Sequence, residues 1–243
     1  MIIKIHNYNK NEIFSLIENS VKSNSKITFS YINQYVLLQI IKNPVLKEYY
    51  KRSINIIDGI GMYLYLKILY LFKKNKINRN ISTDIWFDLI KYSENKNYSY
   101  LFWGGHKINS NTGETNIRRK YPNLMEIIDG YSINEKDILT KMNKIKPVIL
   151  FIGLGTPNQE IFIKENLDEI NANVIIPVGS AIDYFTGYRK RAPLWMRKIG
   201  LEWLYRLFQE PRRLWKRYIL GIPLFIFYVL RQKVKLVLSK TKE

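Results

Sequence analysis

The 243-residue chain reads as an α/β protein with a mainly parallel sheet flanked by helices and a basic helical appendage at its C-terminal end. Three observations carry that reading. Five short runs rich in β-branched and aromatic residues are each followed by a helix-like stretch. Positive charge concentrates beyond residue 188, and the chain has no cysteine on which a disulfide scaffold could be built. The length supports a full hydrophobic core. We divide the chain into an α/β domain, 1–188, and an appendage, 189–243.

The predicted strands are 26–32, 54–57, 98–103, 147–153 and 173–178. In a parallel sheet covered on both faces, ligands bind beyond the carboxyl ends of the strands. That rule singles out Asn33, Asp58-Gly59, Gly104-Gly105, 153–159 and 179–183. In GLGTPNQEIF, Thr156 is placed to cap a helix, Pro157 suits its first position and Glu160 falls in its first turn. Such a turn either receives an anion or simply joins a strand to a helix. FWGGHK has neither the GxGxxG nor the GxxxxGK[ST] spacing, so a dinucleotide fold and a P-loop are both unsupported.

Fifteen of the 39 Lys and Arg residues lie in 189–243, with only Glu202, Glu210 and Glu243 against them. Trp195, Trp203 and Trp215 sit among these cations. Leu194, Ile199, Leu201, Leu204 and Leu207 approximate a helical apolar face, which Pro211 interrupts. Residues 218–230 form an apolar stretch containing Gly221 and Pro223, shorter than the roughly 20 residues a bilayer span needs. It suits either the membrane interface or the core. A cationic, aromatic and apolar surface fits an anionic membrane, so Trp215, Tyr218, Phe225, Phe227, Arg231, Lys233 and Lys235 are assigned to the bilayer.

Without cysteine and with only His6 and His106, thiolate and histidine metal sites are not expected. The N-terminal sequence has no signal-peptide pattern, from which a cytoplasmic location is expected. Basic residues interleaved with aromatics also suit nucleic acid. No nucleic-acid module is recognisable, however, and the basic segment runs into an apolar one, so no nucleic-acid partner is expected.

IIDGIGMYLYLK around Asp58, GLGTPNQE around Gln159, VGSAIDYFTG around Asp183 and RAPLWMRKIGLEWLYRLFQEPRRLWKRY together resemble the WecG/TagA/CpsF family of bacterial glycosyltransferases. The resemblance spans roughly residues 26 to 220. It implies a Rossmann-like catalytic domain over 1–188 and an appendage over 189–243 that completes the active site and associates with the membrane. The implied reaction is inverting and metal-independent. A hexose, N-acetylmannosamine or another, moves from a UDP-sugar to a polyprenyl-diphosphate-linked sugar during cell-surface polysaccharide or teichoic acid synthesis. No cofactor is implied. The implied place is the inner face of the cell membrane, with homo-oligomerisation as a control on docking of the tail. A non-enzymatic membrane scaffold of the same fold is the competing expectation.

By the same resemblance Asp58 is the general base, although alone it is also an ordinary Asp-Gly turn residue. Asn33, Gly59, Arg79, Asp84, Gln159, Glu160 and Asp183 match substrate-pocket positions. Read without the family, Arg79 is a surface cation, Asp84 an early-helix acid and Glu160 a helix-start residue. Arg206 and Arg213 match arginines that complete the site, and a third match falls at Lys216 or Arg217. The chain departs from the family pattern at Tyr31, Ser82 and Ser180. It has no D-x-D motif, so guanidinium groups are expected to take the place of a metal on the diphosphate.

Overall fold

Near-continuous apolar runs form stable strands when alternate side chains are buried on both faces of a sheet. The computed structural model describes residues 3–69, 77–106, 111–130 and 134–240, with the side chains of 111, 112 and 234–240 outside that description. It contains β1 (Ile27–Ile32), β2 (Ile54–Ile57), β3 (Tyr100–Gly104), β4 (Leu124–Ile128), β5 (Ile149–Gly153) and β6 (Val174–Pro177). These form one six-stranded sheet in the order β2-β1-β6-β5-β3-β4, parallel at every pairing. The five predicted strands are all present. β4 was not foreseen, because as an edge strand it has one neighbour and carries Glu126 and a half-exposed Met125 among its apolar residues.

The two faces separate cleanly by alternation. Leu101, Trp103, Leu150, Ile152 and Ile175 point into one cluster, and Tyr100, Phe102, Ile149, Phe151 and Ile176 into the other. The second face is covered by α1 (Lys10–Lys22), α5 (Ser82–Lys96), α6 (Asn111–Lys120) and α9 (Ala181–Phe185). The first is covered by α2 (Gln34–Lys42), α3 (Pro44–Arg52), α4 (Gly59–Leu69), α7 (Glu135–Ile145) and α8 (Asn158–Asn166).

The appendage folds as α10 (Leu194–Ile199), α11 (Glu202–Gln209), α12 (Pro211–Trp215), a π-helical turn (Lys216–Leu220) and α13 (Gly221–Lys240). Pro211 does open a new helix, but Gly221 and Pro223 do not break the last one. The wider π turn changes the hydrogen-bond register just before Pro223, which accommodates the missing N–H. Phe225 and Val229 of α13 are buried in the first-face cluster, with Phe225 edge-on to Tyr65 of α4 at 5.9 Å. Tyr218 is likewise buried and packs near Trp203 at 5.5 Å. The bilayer assignment of Tyr218 and Phe225 is therefore corrected, since both point inward from a helix whose other side is exposed. Trp215, Phe227, Arg231 and Lys233 remain at the surface, while the side chain of Lys235 lies outside the described residues. Among the described residues no helix is long and apolar enough to cross a membrane.

Ion pairs and backbone contacts hold the appendage to the domain. Asp84 Oδ1 accepts from Arg191 at 2.5 Å and also pairs with Arg197. Arg79 donates to the carbonyls of Lys198, at 2.5 Å, and Arg197, at 3.0 Å, at the end of α10. A cation at a helix C-terminus is electrostatically favourable and satisfies carbonyls that lack helical partners. Gly200 then ends α10 in a left-handed conformation (φ +87°), where a Cβ would lie 2.8 Å from Ile60. Arg79 is therefore not a surface cation, and Asp84 acts on arginines rather than only on its helix dipole.

Asp84→Ala leaves Arg191 and Arg197 without that partner. Because the carboxylate is partly exposed, the expected loss is about 1–2 kcal/mol, below that of a fully buried pair. Urea unfolding measures the loss, and limited trypsin digestion should show earlier cleavage between residues 187 and 200.

Candidate active site

Strand order determines where the carboxyl edge opens. The chain leaves β3 toward β4 and β5 toward β6, in opposite directions, so a crevice forms between the ends of β3 and β5. Gly104 (φ +117°) permits the close approach there, since a Cβ on it would lie 2.5 Å from the carbonyl carbon of Gly153. The resulting cleft of ≈ 690 Å³ is lined by Gly105, His106, Asn158, Asp183, Arg189 and Glu210, among others. Next to it, over β1, β2 and β6, lies a cavity of ≈ 370 Å³ containing Asn33, Asp58, Gln159 and Glu160. Gly155, Ser180 and Arg213 line both spaces.

Asp58 stands directly after β2. Its N–H donates to the Ile32 carbonyl at 2.9 Å, continuing the strand pairing by one residue. Its Oδ1 accepts from the Ser82 N–H at 3.0 Å, at the start of α5, where helix N–H groups and the macrodipole favour negative charge. No hydrogen bond to Oδ2 occurs among the described residues. The result is a carboxylate fixed on one oxygen only. Gly59 follows in a left-handed conformation (φ +77°), turning the chain into α4. Gly59, Arg79, Asp58, Arg206 and Arg217 also line a small side cavity of ≈ 90 Å³ under the appendage.

Asn33 caps α2, its Oδ1 accepting from Val36 N–H at 3.0 Å. This fixes the amide orientation, with the cap using one lone pair of the oxygen and the NH2 group left as a donor. Gln159 is more tightly held: Oε1 accepts from Gly179 N–H at 3.1 Å, and Nε2 donates to Glu160 at 2.9 Å. This fixes the amide orientation and leaves one Nε2 hydrogen.

Glu160 lies in the first turn of α8, as expected, and is also a buried polar node. Its Oε1 also accepts from Thr156 Oγ1 at 2.8 Å and Tyr50 Oη at 3.2 Å. Burial pushes its carboxyl above the usual range, against the effect of these donors. Thr156 consequently does not cap α8, which begins at Asn158 with Pro157 in the N-cap position.

Asp183 lies on the crevice side. Its Oδ1 accepts from the His106 N–H and contacts the His106 Nδ1, both at 3.0 Å, and its Oδ2 pairs with Arg189 Nε at 3.1 Å. His106 also stacks on Tyr188 at 4.2 Å. Asp84 lines none of these spaces; its place is in the docking contact described above.

The four cations that line the Asp58 cavity, Arg206, Arg213, Lys216 and Arg217, all come from the appendage. Arg206 donates through Nη2 to Ser180 Oγ at 2.5 Å, so the hydroxyl at a family glycine position receives one of the site arginines. Arg217 lies over the Tyr35 ring at 4.3 Å, and burial lowers its guanidinium pKa. Arg213 gives two N–H groups to Glu210, at 2.6 and 2.8 Å. Lys216 is exposed at the rim near Trp215. Arg217 fills the position that the sequence left open between it and Lys216 more deeply, although both line the cavity.

Two wall residues escaped sequence analysis. Glu202 of α11 faces the region of Asp58, and burial raises its carboxyl, with Arg191 opposing and the Asp58 charge reinforcing the shift. Trp86 reaches the cavity from the second turn of α5, where its spacing is indistinguishable from that of a core residue.

Comparison with known proteins identifies the family. The model of the Glycosyl transferase WecG/TagA/CpsF family matches residues 1–238. Similar curated proteins include an N-acetylglucosaminyldiphosphoundecaprenol N-acetyl-beta-D-mannosaminyltransferase of Bacillus spizizenii strain W23, 32% identical over 72% of this chain and 67% of its own. A protein of the same name from Bacillus subtilis strain 168 is 32% identical over 72% and 68%. Another from Staphylococcus aureus strain MW2 is 24% identical over 89% of both chains. With a strand-tip carboxylate opposite a wall of appendage cations and a family match along nearly the whole chain, the protein belongs to the WecG/TagA/CpsF family of glycosyltransferases.

Proposed function

We propose that the enzyme transfers an N-acetylmannosamine-type hexose from a UDP-sugar to a polyprenyl-diphosphate-linked N-acetylglucosamine at a membrane surface, without a metal ion. The observation that carries this reading is the Asp58 carboxylate, with one oxygen anchored and the other available, in a cavity whose cations all come from the appendage. The names of the relatives supply the acceptor class.

The two connected spaces suggest a division of labour. The nucleotide occupies the crevice between β3 and β5, and the reacting sugars meet in the Asp58 cavity, with the diphosphate at the shared wall of Gly155, Ser180 and Arg213. Asp58 Oδ2 takes the proton of the acceptor hydroxyl as that oxygen attacks the anomeric carbon from the face opposite UDP. The new C–O bond forms as the bond to the diphosphate breaks, which inverts the centre, and UDP leaves with the bonding electron pair. Arg206, Arg217 and Arg213 stabilise the growing diphosphate charge, and Lys216 adds a mobile cation at the rim.

The apolar side of the appendage is read as the membrane contact. Phe227 is 63% exposed and Trp215 43%, near Leu220, Leu224 and Leu230 and the exposed Arg231 and Lys233. An exposed apolar surface bordered by cations suits the interface of an anionic bilayer, which supports a peripheral position on the inner face.

UDP release from a panel of UDP-sugars with a short-chain lipid-diphosphate N-acetylglucosamine acceptor tests the reaction. Turnover is expected to persist in EDTA; its loss on chelation would sink the metal-free mechanism. Asp58→Asn should lower turnover about 10²–10⁴-fold, the usual worth of a general base.

Arg206→Ala should lower kcat about 10²–10³-fold, as expected for loss of a preorganised donor to the leaving group. A change confined to KM would instead assign Arg206 to ground-state binding.

Trp215→Ala combined with Phe227→Asp should weaken sedimentation with anionic liposomes while preserving turnover on the short-chain acceptor. Undiminished liposome binding would move the membrane contact elsewhere.

A further inference from the structure

Two aromatic hydrogen-bond donors beside the Asp58 cavity have no partner among the described residues. Tyr31 Oη and Trp86 Nε1 are both closed to water and have no hydrogen-bond partner among the described residues. Both side chains nevertheless line the cavity that contains Asp58. Their rings meet edge to face, with centroids 4.9 Å apart and planes at 79°. Tyr31 lies near the end of β1, two residues before Asn33. Trp86 lies one turn beyond Ser82, whose N–H holds Asp58.

Packing alone does not account for this pair. Phenylalanine at either position would fill an apolar wall without stranding a polar atom, and a buried donor without a partner is destabilising. The chemistry of the two groups also restricts what could satisfy them. Indole N–H only donates. The Tyr31 phenol stays protonated, because burial and the nearby Asp58 charge push its ionisation well above the ordinary value. A receiving group must therefore offer acceptor lone pairs. A carboxylate would be repelled by Asp58, and a hydroxyl that accepts from both donors must also find an acceptor for its own hydrogen. An amide carbonyl is neutral, accepts through two lone pairs, and has an apolar methyl beside it when it belongs to an N-acetyl group.

We propose that Tyr31 and Trp86 form an acetamido subsite. They donate to the carbonyl oxygen of an N-acetyl group on the sugar beside Asp58 and so select N-acetylated over plain hexose substrates. Both rings line the cavity while their polar atoms lie behind its surface, so binding includes a small side-chain adjustment of the kind that commonly accompanies ligand entry. The proposal rests on the transferase reading above, and it applies to whichever of the two sugars carries the acetamido group at that wall.

The test measures kcat/KM for matched N-acetyl and 2-hydroxy sugars in two arms. One varies the donor, UDP-N-acetylmannosamine against UDP-mannose. The other varies the lipid-diphosphate acceptor, N-acetylglucosaminyl against glucosyl. Tyr31→Phe should reduce the preference for the N-acetyl form about tenfold in one arm, the scale of one hydrogen bond, and that arm identifies the sugar. Trp86→Phe should act in the same arm. Thermal unfolding of the unliganded Tyr31→Phe protein gives an independent reading: its Tm should equal or exceed that of the parent, because the variant removes an unsatisfied group. A lowered Tm would reveal an internal partner for the hydroxyl and overturn the proposal. Normal turnover with unchanged preference in both arms would overturn it while leaving the transferase reading intact. No turnover by the parent with any sugar pair would remove both.

Discussion

Docking of residues 189–217 against the carboxyl edge of the sheet is the constraint on which the site depends. The domain alone supplies Asp58, Asn33 and Gln159, whereas the cations of the Asp58 cavity all come from the appendage. The contact has two parts with different physics. Asp84 gathers Arg191 and Arg197, while Arg79 terminates α10 by donating to its last carbonyls. Arg191 also lies over the rings of Phe87 and Tyr184, at 5.5 and 5.8 Å, so its guanidinium is held by π faces as well as by charge. Opposite charge brings the segment in, and the geometry of α10 sets its angle.

Several polar groups in the cavity are already committed to the fold, and that commitment gives them direction. Asn33 uses its oxygen to cap α2, leaving an amide donor. Gln159 is tied at both ends, to Gly179 and Glu160. Glu160 in turn gathers Thr156, Gln159 and Tyr50 on one oxygen. A side chain fixed by such partners loses little conformational entropy when substrate arrives, and its dipole needs no reorientation during reaction. Asp58 follows the same logic, with one oxygen fixed by the start of α5 and no hydrogen bond to the other among the described residues.

The sheet was legible because a strand covered on both faces must be apolar throughout, a requirement that ILFIG and VIIP meet. LMEII escaped because an edge strand can carry Glu126 and an exposed Met125 without penalty. Strand tips were legible too, since topology places Asn33, Asp58 and Gln159 there whatever their contacts. Roles that depend on a partner distant in sequence were not. Nothing local to Arg79 or Asp84 reveals that they meet residues more than a hundred positions away. Glu202 sits in a mixed helix face, and Trp86 in a spacing that serves the core equally well. The apolar stretch at 218–230 was read as one surface, but helical periodicity divides it: Tyr218, Phe225 and Val229 face inward, and Leu224, Phe227 and Leu230 face out.

That division gives α13 two surfaces with one mechanical consequence. Its inner side packs on α2 and α4, through Phe225, Val229 and Tyr65. Both of those helices begin at the site, α2 under the Asn33 cap and α4 at Gly59, immediately after Asp58. Its outer side presents the exposed apolar residues. The π turn connects this helix directly to Arg217, which stacks on Tyr35 in the first turn of α2. The outer surface of α13 is thus joined to Asn33, Asp58 and Arg217 by packed helices and one π turn. Close packing leaves little room for such elements to shift independently, so the position of α13 and the shape of the cavity are set together.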